Sequence, residues 1–267
     1  MPRRFRPATL LICTSALALL AGPGDAPAAQ NEAPEVPSEE RRAGGVEKMR
    51  YILIGPKPAA PAPDDGRMLV LVLPGGDGGD RFRPFVERIW QHALPPDAIV
   101  AQLVAVRWTP TQRVIWPTLQ SRVPKMKFAT EHFVEAVVRD VASNHRVDRR
   151  RVFTLSWSSG GPAAYAVSLL PKTSVTGSLI AMSVFKSHEL PPLRNARGRG
   201  YYLLHSPQDT VCPFRMATEA RDALKAAGAA VRFASYEGGH GWHGDCFGMI
   251  RKGIAWLAER TAGEKER

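Results

Sequence analysis

The chain has only three cysteines in 267 residues, and one of them, Cys13, lies in the leading segment. A disulfide framework is therefore excluded, and a hydrophobic core must hold the fold. No internal repeat is present, which excludes a solenoid or propeller. The apolar run at residues 10–21 is too short to cross a bilayer comfortably, so no stable membrane span is expected. Acidic residues are the minority, 25 against 36 Lys and Arg, giving a formal charge of +11. That charge favours contact with anionic surfaces. The basic residues are scattered, however, and no nucleic-acid motif accompanies them, so no nucleic-acid partner is expected.

The leading segment reads as an export signal. Arg3, Arg4 and Arg6 precede the apolar run, and Ala26-Pro27-Ala28 follows it as a small-x-small cleavage site. Arg3-Arg4 alone gives only a hint of twin-arginine export. The expected organisation is a signal peptide at 1–28, a flexible leader at 29–48 rich in Pro, Glu and Arg, and one folded domain at 49–267. The expected location is the periplasm or the exterior of the cell.

From residue 49 onward, apolar runs alternate with helix-period segments. Strands are expected at 49–54, 68–73, 98–106, 151–155, 179–182, 201–204 and 231–236. Helices are expected at 81–94, 130–144, after residue 161, at 216–227 and at 245–260. This order predicts an α/β fold, a mostly parallel central sheet with helices on both faces. Chemistry in such sheets sits at the carboxyl ends of the strands. Residues 108–127 break the rhythm with two tryptophans and three prolines. A loop of that length serves a cleft or covers an edge.

Ser156-Trp157-Ser158-Ser159-Gly160-Gly161 follows a strand and precedes a helix opened by Pro162. A serine on a tight strand-to-helix turn needs small residues two before and two after it. Ser158 has Ser156 and Gly160 in those places, whereas Ser159 has Trp157 two before it. Ser158 is thus the candidate nucleophile. Two more strand ends carry chemistry: His205-Ser206-Pro207-Gln208-Asp209 and Glu237-Gly238-Gly239-His240-Gly241. Taken singly, Ser158 and Asp209 read as helix caps and His240 as a loop residue. Their occurrence in the order Ser, acid, His, each after a strand, gives them a joint chemical meaning.

With these motifs the chain resembles the α/β-hydrolase family of serine esterases, from about residue 49 to the end. It looks most like the secreted feruloyl and polyhydroxyalkanoate esterases and the phospholipase/carboxylesterase-like enzymes. The resemblance implies Ser158 as nucleophile, Asp209 as orienting acid and His240 as general base, acting on a small-molecule or polymer-linked ester without a cofactor. Leu73-Pro74-Gly75-Gly76-Asp77-Gly78-Gly79 matches the family's glycine-rich loop. It implies oxyanion donors at the backbone N–H of Gly76, with Asp77 as runner-up, and of Ser159. Two departures are evident: Ser156 stands where Gly is common, and Pro74 where His is common and could brace the loop. A serine peptidase of the same fold and a catalytically silent binding protein are the alternatives.

His240 and His243 could suggest a metal pair, but no carboxylate or cysteine cluster completes a site in the sequence, so no metal is expected. His205 reads as a structural histidine of the acid loop. Cys212 and Cys246 form a candidate disulfide in an exported chain, tying the acid loop to the base loop; the alternative is two thiols. Trp108, Trp116 and Trp242 are either an aromatic wall beside the triad or core residues.

Overall fold

The structure is a computed structural model that describes residues 36–56 and 61–262. The expected signal at 1–28 lies outside the described residues. Eight strands form one sheet: β1 (Ser38–Arg42), β2 (Arg50–Ile54), β3 (Arg67–Leu73), β4 (Ile99–Leu103), β5 (Val147–Trp157), β6 (Gly177–Ala181), β7 (Gly200–His205) and β8 (Ala230–Ser235). Their spatial order is β1-β2-β4-β3-β5-β6-β7-β8. β1 and β2 run antiparallel to their neighbours, and every pairing from β4 to β8 is parallel. Five helices, α1 (Arg83–Ala93), α2 (Thr130–Asn144), α3 (Gly161–Ser168), α4 (Phe214–Ala226) and α5 (Cys246–Ala262), complete the expected α/β architecture.

The alternation of side chains along a strand divides the core into two layers. Met68, Val70 and Val72 of β3 point to the face covered by α1 and α5, packing with Ile89 and Ile254. Leu69, Leu71 and Leu73 point to the other face, toward Phe133 and Val137 of α2 and Val167 of α3. All seven residues of β3 are buried; after Arg67, the six from Met68 to Leu73 are covered on both faces, which is why they read as an unbroken apolar run. Further along the second face, Ala164 and Tyr165 of α3 pack with Tyr201 and Leu203 of β7 and Leu224 of α4.

The expected leader needs one correction. Ser38–Arg42 forms the edge strand β1, paired along its length with β2. Its composition is polar because an edge strand gains its place through backbone bonds and cross-strand charge pairs rather than burial. Glu40, for example, accepts hydrogen bonds from Arg50 of β2 at 2.9 Å. The 108–127 stretch contains no helix or strand, as expected. It is held by side-chain bonds to its own backbone. The Gln112 side-chain oxygen accepts the Trp108 N–H at 2.8 Å, and its amide donates to the carbonyls of Val106 and Val114. Buried Glu131 accepts the Leu119 N–H; burial pushes its pKa up, and this bond works against the rise.

α5 approaches the sheet at Gly253, where an added Cβ would lie 2.4 Å from Leu179 Cδ1 and 3.0 Å from Tyr202 Cδ1. Gly253→Val should therefore lower unfolding free energy by about 1–3 kcal/mol through overpacking. Denaturant titration checks this; an unchanged midpoint would mean that α5 can shift without cost.

Candidate active site

β5 ends at Trp157, and a short 3-10 turn over Ser158–Gly160 leads into α3. Ser158 has φ +49°, a left-handed conformation unusual for a residue with a Cβ. The requirement for small neighbours is visible in the packing. A Cβ on Gly160 would lie 2.1 Å from the Leu73 carbonyl oxygen, so no larger residue fits there. Ser156 is fully buried two residues before Ser158, and its hydroxyl has no partner among the described residues. This is how the chain accommodates its departure from glycine.

The three residues singled out as a triad are together. Ser158 Oγ–H donates to His240 Nε2 at 3.1 Å, and His240 Nδ1–H donates to Asp209 Oδ2 at 2.9 Å. The Asp209 side chain is fully shielded from solvent. Its Oδ1 accepts the backbone N–H groups of Val211 and Cys212, both at 2.8 Å. Burial raises the cost of charging Asp209. The His240 bond and these two amides outweigh it and hold the carboxyl below its ordinary value of 3.8. An imidazole oriented in this way can take the serine proton, which is what nucleophilic attack by a hydroxyl requires.

His205 braces the acid, as the sequence suggested. Its Nε2–H donates to the Cys212 carbonyl at 2.8 Å and lies 3.2 Å from Asp209 Oδ2. The glycine-rich loop packs on the serine turn: a Cβ on Gly75 would lie 2.6 Å from Trp157 and 3.0 Å from Ser158 Cβ. Ser159 Oγ–H donates to the Gly76 carbonyl at 2.9 Å, so the two expected oxyanion residues are tied together. Pro74 supplies no bracing side chain. In its place, the Trp116 indole N–H donates to the Pro74 carbonyl at 3.0 Å. The Asp77 carboxylate accepts the Gly79 N–H at 3.0 Å and pairs with Arg81 at 3.3 Å.

The candidate disulfide is corrected: Cys212 and Cys246 are both free. The Cys212 thiol is buried in the acid loop near Asp209, and burial pushes its pKa up to about 11. Cys246 opens α5 on the side of Arg88. The two loops are instead joined by hydrogen bonds. Ser206 Oγ in the acid loop accepts the Gly239 N–H of the base loop at 3.1 Å, beside the Asp209–His240 bond; within the base loop, the Tyr236 hydroxyl donates to the Gly241 carbonyl at 2.8 Å. Ser206, Tyr236 and Ser183, whose hydroxyl donates to the Ser158 carbonyl at 2.7 Å, were not singled out in the sequence. Adjacency to Asp209 and to the end of β8 was the only signal for the first two; Ser183 had none.

His243 is not part of the hydrogen-bonded set; it stacks on Tyr236 with ring centroids 6.4 Å apart. Asp245 accepts the Gly248 N–H at 2.8 Å in the first turn of α5. Asp209, Cys212 and His240 are the one group of three metal-capable side chains among the described residues, with ligand atoms within 4.8 Å of one another. A metal there would take both the acid and the base away from Ser158. The three tryptophans do not form one wall. Trp108 packs on Phe128, Trp242 packs on Trp157 and Phe85, and only Trp116 lines a cavity of about 290 Å³ beside Ser159.

No protein-family model and no curated protein sequence matches this chain. Solved structures do. One of two fungal esterases from Rhizomucor miehei aligns with TM-score 0.63 at 14% identity, over 87% of this chain and 86% of that one. MGS-M1, an α/β-hydrolase enzyme from a Medee basin deep-sea metagenome library, aligns with TM-score 0.62 at 14% identity, over 85% and 98%. The propionate-bound esterase 2 of Thermogutta terrifontis aligns with TM-score 0.57 at 18% identity, over 85% and 94%. The chain has the α/β-hydrolase fold.

Two predictions follow from this geometry. With both thiols free, reductant should leave the thermal midpoint unchanged, whereas a fall of several degrees would reveal a bridge. The depressed pKa of Asp209 contributes stability in full above the ordinary carboxylate value of 3.8, lost as pH falls through the lower folded value. Asp209→Asn should therefore flatten the acid limb of a stability-against-pH curve. An identical limb in both proteins would show that Asp209 does not contribute to it.

Proposed function

We propose that the protein is a serine hydrolase of carboxylic esters, with Ser158 as nucleophile, His240 as general base and Asp209 as orienting acid. The observation that carries this reading is the relay of two hydrogen bonds, 3.1 Å and 2.9 Å long, from Ser158 through His240 to a shielded carboxylate. His240 Nε2 takes the Ser158 proton as Oγ bonds to the ester carbonyl carbon, and the carbonyl electron pair moves onto oxygen. When that pair returns, the bond to the alcohol oxygen breaks, and His240 gives the alcohol its proton. A water molecule, deprotonated by His240, then attacks the acyl-enzyme and frees the acid and Ser158. Asp209 remains ionised throughout and stabilises the imidazolium.

The backbone N–H groups of Gly76 and Ser159 are assigned to the oxyanion. The Ser159–Gly76 bond and the Trp116 brace on Pro74 support this, because a donor must be held in place before charge develops. The esterases of similar fold favour esters over amides as first substrates, and the propionate-bound neighbour directs attention to short acyl chains. Aryl esters test the resemblance to feruloyl esterases. This chemistry needs no cofactor. The export signal proposed for residues 1–28 would place the reaction in the periplasm or outside the cell, and no helix among the described residues is long and apolar enough to cross a membrane.

Ser158→Ala should lower kcat/KM on a short p-nitrophenyl ester by about 10⁴- to 10⁶-fold and abolish labelling by a fluorophosphonate. Ser159→Ala loses one hydrogen bond to the glycine-rich loop and should cost about three- to tenfold. If Ser159→Ala alone abolished labelling, the nucleophile would be misassigned. If an amide of matched acyl group were hydrolysed faster than the ester, the ester reading would fail.

A further inference from the structure

The Cys212 thiol is a buried nucleophilic group for which ester hydrolysis has no task. It is 6% exposed and lies three residues after Asp209, in the loop that delivers the acid. It has no disulfide partner. Its sulfur, an Asp209 carboxylate oxygen and a His240 ring nitrogen lie within 4.8 Å of one another. His240 turns Nδ1 to this side, because its Nε2 faces Ser158.

Two features separate this group from a chance meeting of polar side chains. The first is its chemistry. Thiolate, imidazole and carboxylate are the donor types that hold zinc, and three of them leave one position of a tetrahedron open. Charge agrees, since the two positive charges of the ion meet one thiolate and one carboxylate. Magnesium and calcium, which take oxygen ligands, do not suit such a set.

The second feature is that the supports of the ligands are already in place. Asp209 Oδ1 accepts the N–H groups of Val211 and Cys212, both at 2.8 Å, which leaves Oδ2 to face His240. His205 Nε2 lies 3.2 Å from that Oδ2 and 2.8 Å from the Cys212 carbonyl oxygen, so one ring braces both residues. Outer partners of this kind orient metal ligands. The spacing is also close to what is needed. Tetrahedral ligation at ordinary zinc distances sets donor atoms about 3.3–3.6 Å apart. The Asp209 oxygen and His240 nitrogen, now 2.9 Å apart, part by about 0.4 Å, and the sulfur closes by at most about 1.2 Å.

We propose that Asp209, Cys212 and His240 form an inhibitory site for a borderline-soft divalent cation of the zinc type. The inhibition rests on the ester-hydrolase reading; the metal site does not. Binding joins the ion to Asp209 Oδ2, His240 Nδ1 and Cys212 Sγ. The thiol proton leaves to solvent, and Nδ1 loses its proton as Nε2 gains one, so one proton is released per ion. The imidazole is then fixed in the wrong tautomer. Its Nε2 carries a hydrogen and no longer accepts the Ser158 proton. Chelation of the ion reverses each of these changes.

Binding is tested first, with cadmium as the probe because its bond to a thiolate absorbs in the ultraviolet. The wild-type protein should gain this charge-transfer band at one ion per chain. Cys246→Ser should keep the band and Cys212→Ser should lose it, with the thermal midpoint reporting that each variant is folded. Asp209→Asn, which retains both thiols, should bind cadmium at least about tenfold more weakly and decides the matter if Cys212→Ser does not fold. A band that is absent or that follows Cys246, or an unchanged affinity in Asp209→Asn, would overturn the site.

Hydrolysis then tests the inhibition. Zinc should slow turnover of a short p-nitrophenyl ester, magnesium should not, and excess EDTA should restore the rate. With each variant referred to its own metal-free rate, the zinc inhibition constant should rise at least about tenfold in Cys212→Ser and stay as in the wild type in Cys246→Ser. A constant unaffected by Cys212→Ser would overturn the inhibitory role. A Cys212-dependent band without Ser158-dependent hydrolysis of any ester would sink the hydrolase reading and leave the metal site standing.

Discussion

The left-handed turn at Ser158 is the constraint around which the rest is arranged. Holding a residue with a Cβ at φ +49° costs roughly 1–3 kcal/mol, and the surroundings must supply that energy. They do so by packing from three directions. β5 is held between β3 and β6, so Trp157 cannot move back along the strand. Gly160 lies against the end of β3, and Gly75 of the following loop lies against Trp157 and Ser158. Ser183, just beyond β6, holds the Ser158 carbonyl. The same packing that keeps the strain in place lifts the serine hydroxyl out of the sheet toward His240.

A second dependence runs through Asp209. A shielded carboxylate is tolerable only when its oxygens are bonded, and here two backbone amides and one imidazole satisfy it. His205, itself bonded to the Cys212 carbonyl, closes this arrangement from behind. Ser206 joins the acid loop to the base loop by accepting the Gly239 N–H, and Tyr236 braces the base loop internally on the Gly241 carbonyl. Neutral hydrogen bonds suffice because both loops leave adjacent parallel strands, β7 and β8, whose register already sets their separation. A covalent link would add little to a geometry the sheet has defined.

The long loop between β4 and α2 shows how a segment without regular structure becomes part of a site. Gln112 and Glu131 satisfy its backbone, so it needs no ladder of its own. Once ordered, it delivers Trp116 both to the Pro74 carbonyl and to the cavity wall. One indole thus braces the glycine-rich loop and shapes the space next to the serine.

Much of this was legible in the sequence, because it depends on local periodicity and on residue size. The buried run of β3, the alternation of strand and helix, and the choice of Ser158 over Ser159 follow from side-chain spacing and from the bulk of Trp157. The grouping of Ser158, Asp209 and His240 was legible only as an ordered set, since each residue alone reads as a cap or a loop. Tertiary structure decided the rest. Ser38–Arg42 became a strand because β2 offered it an edge, a fact its charged composition conceals. Cys212 and Cys246 are free thiols, the first buried in the acid loop and the second at the start of α5. Ser183 and Tyr165 acquired their positions from neighbours distant along the chain. Spacing along a chain determines which face a side chain occupies, but which groups meet across the sheet is set by packing, and packing has no local signature.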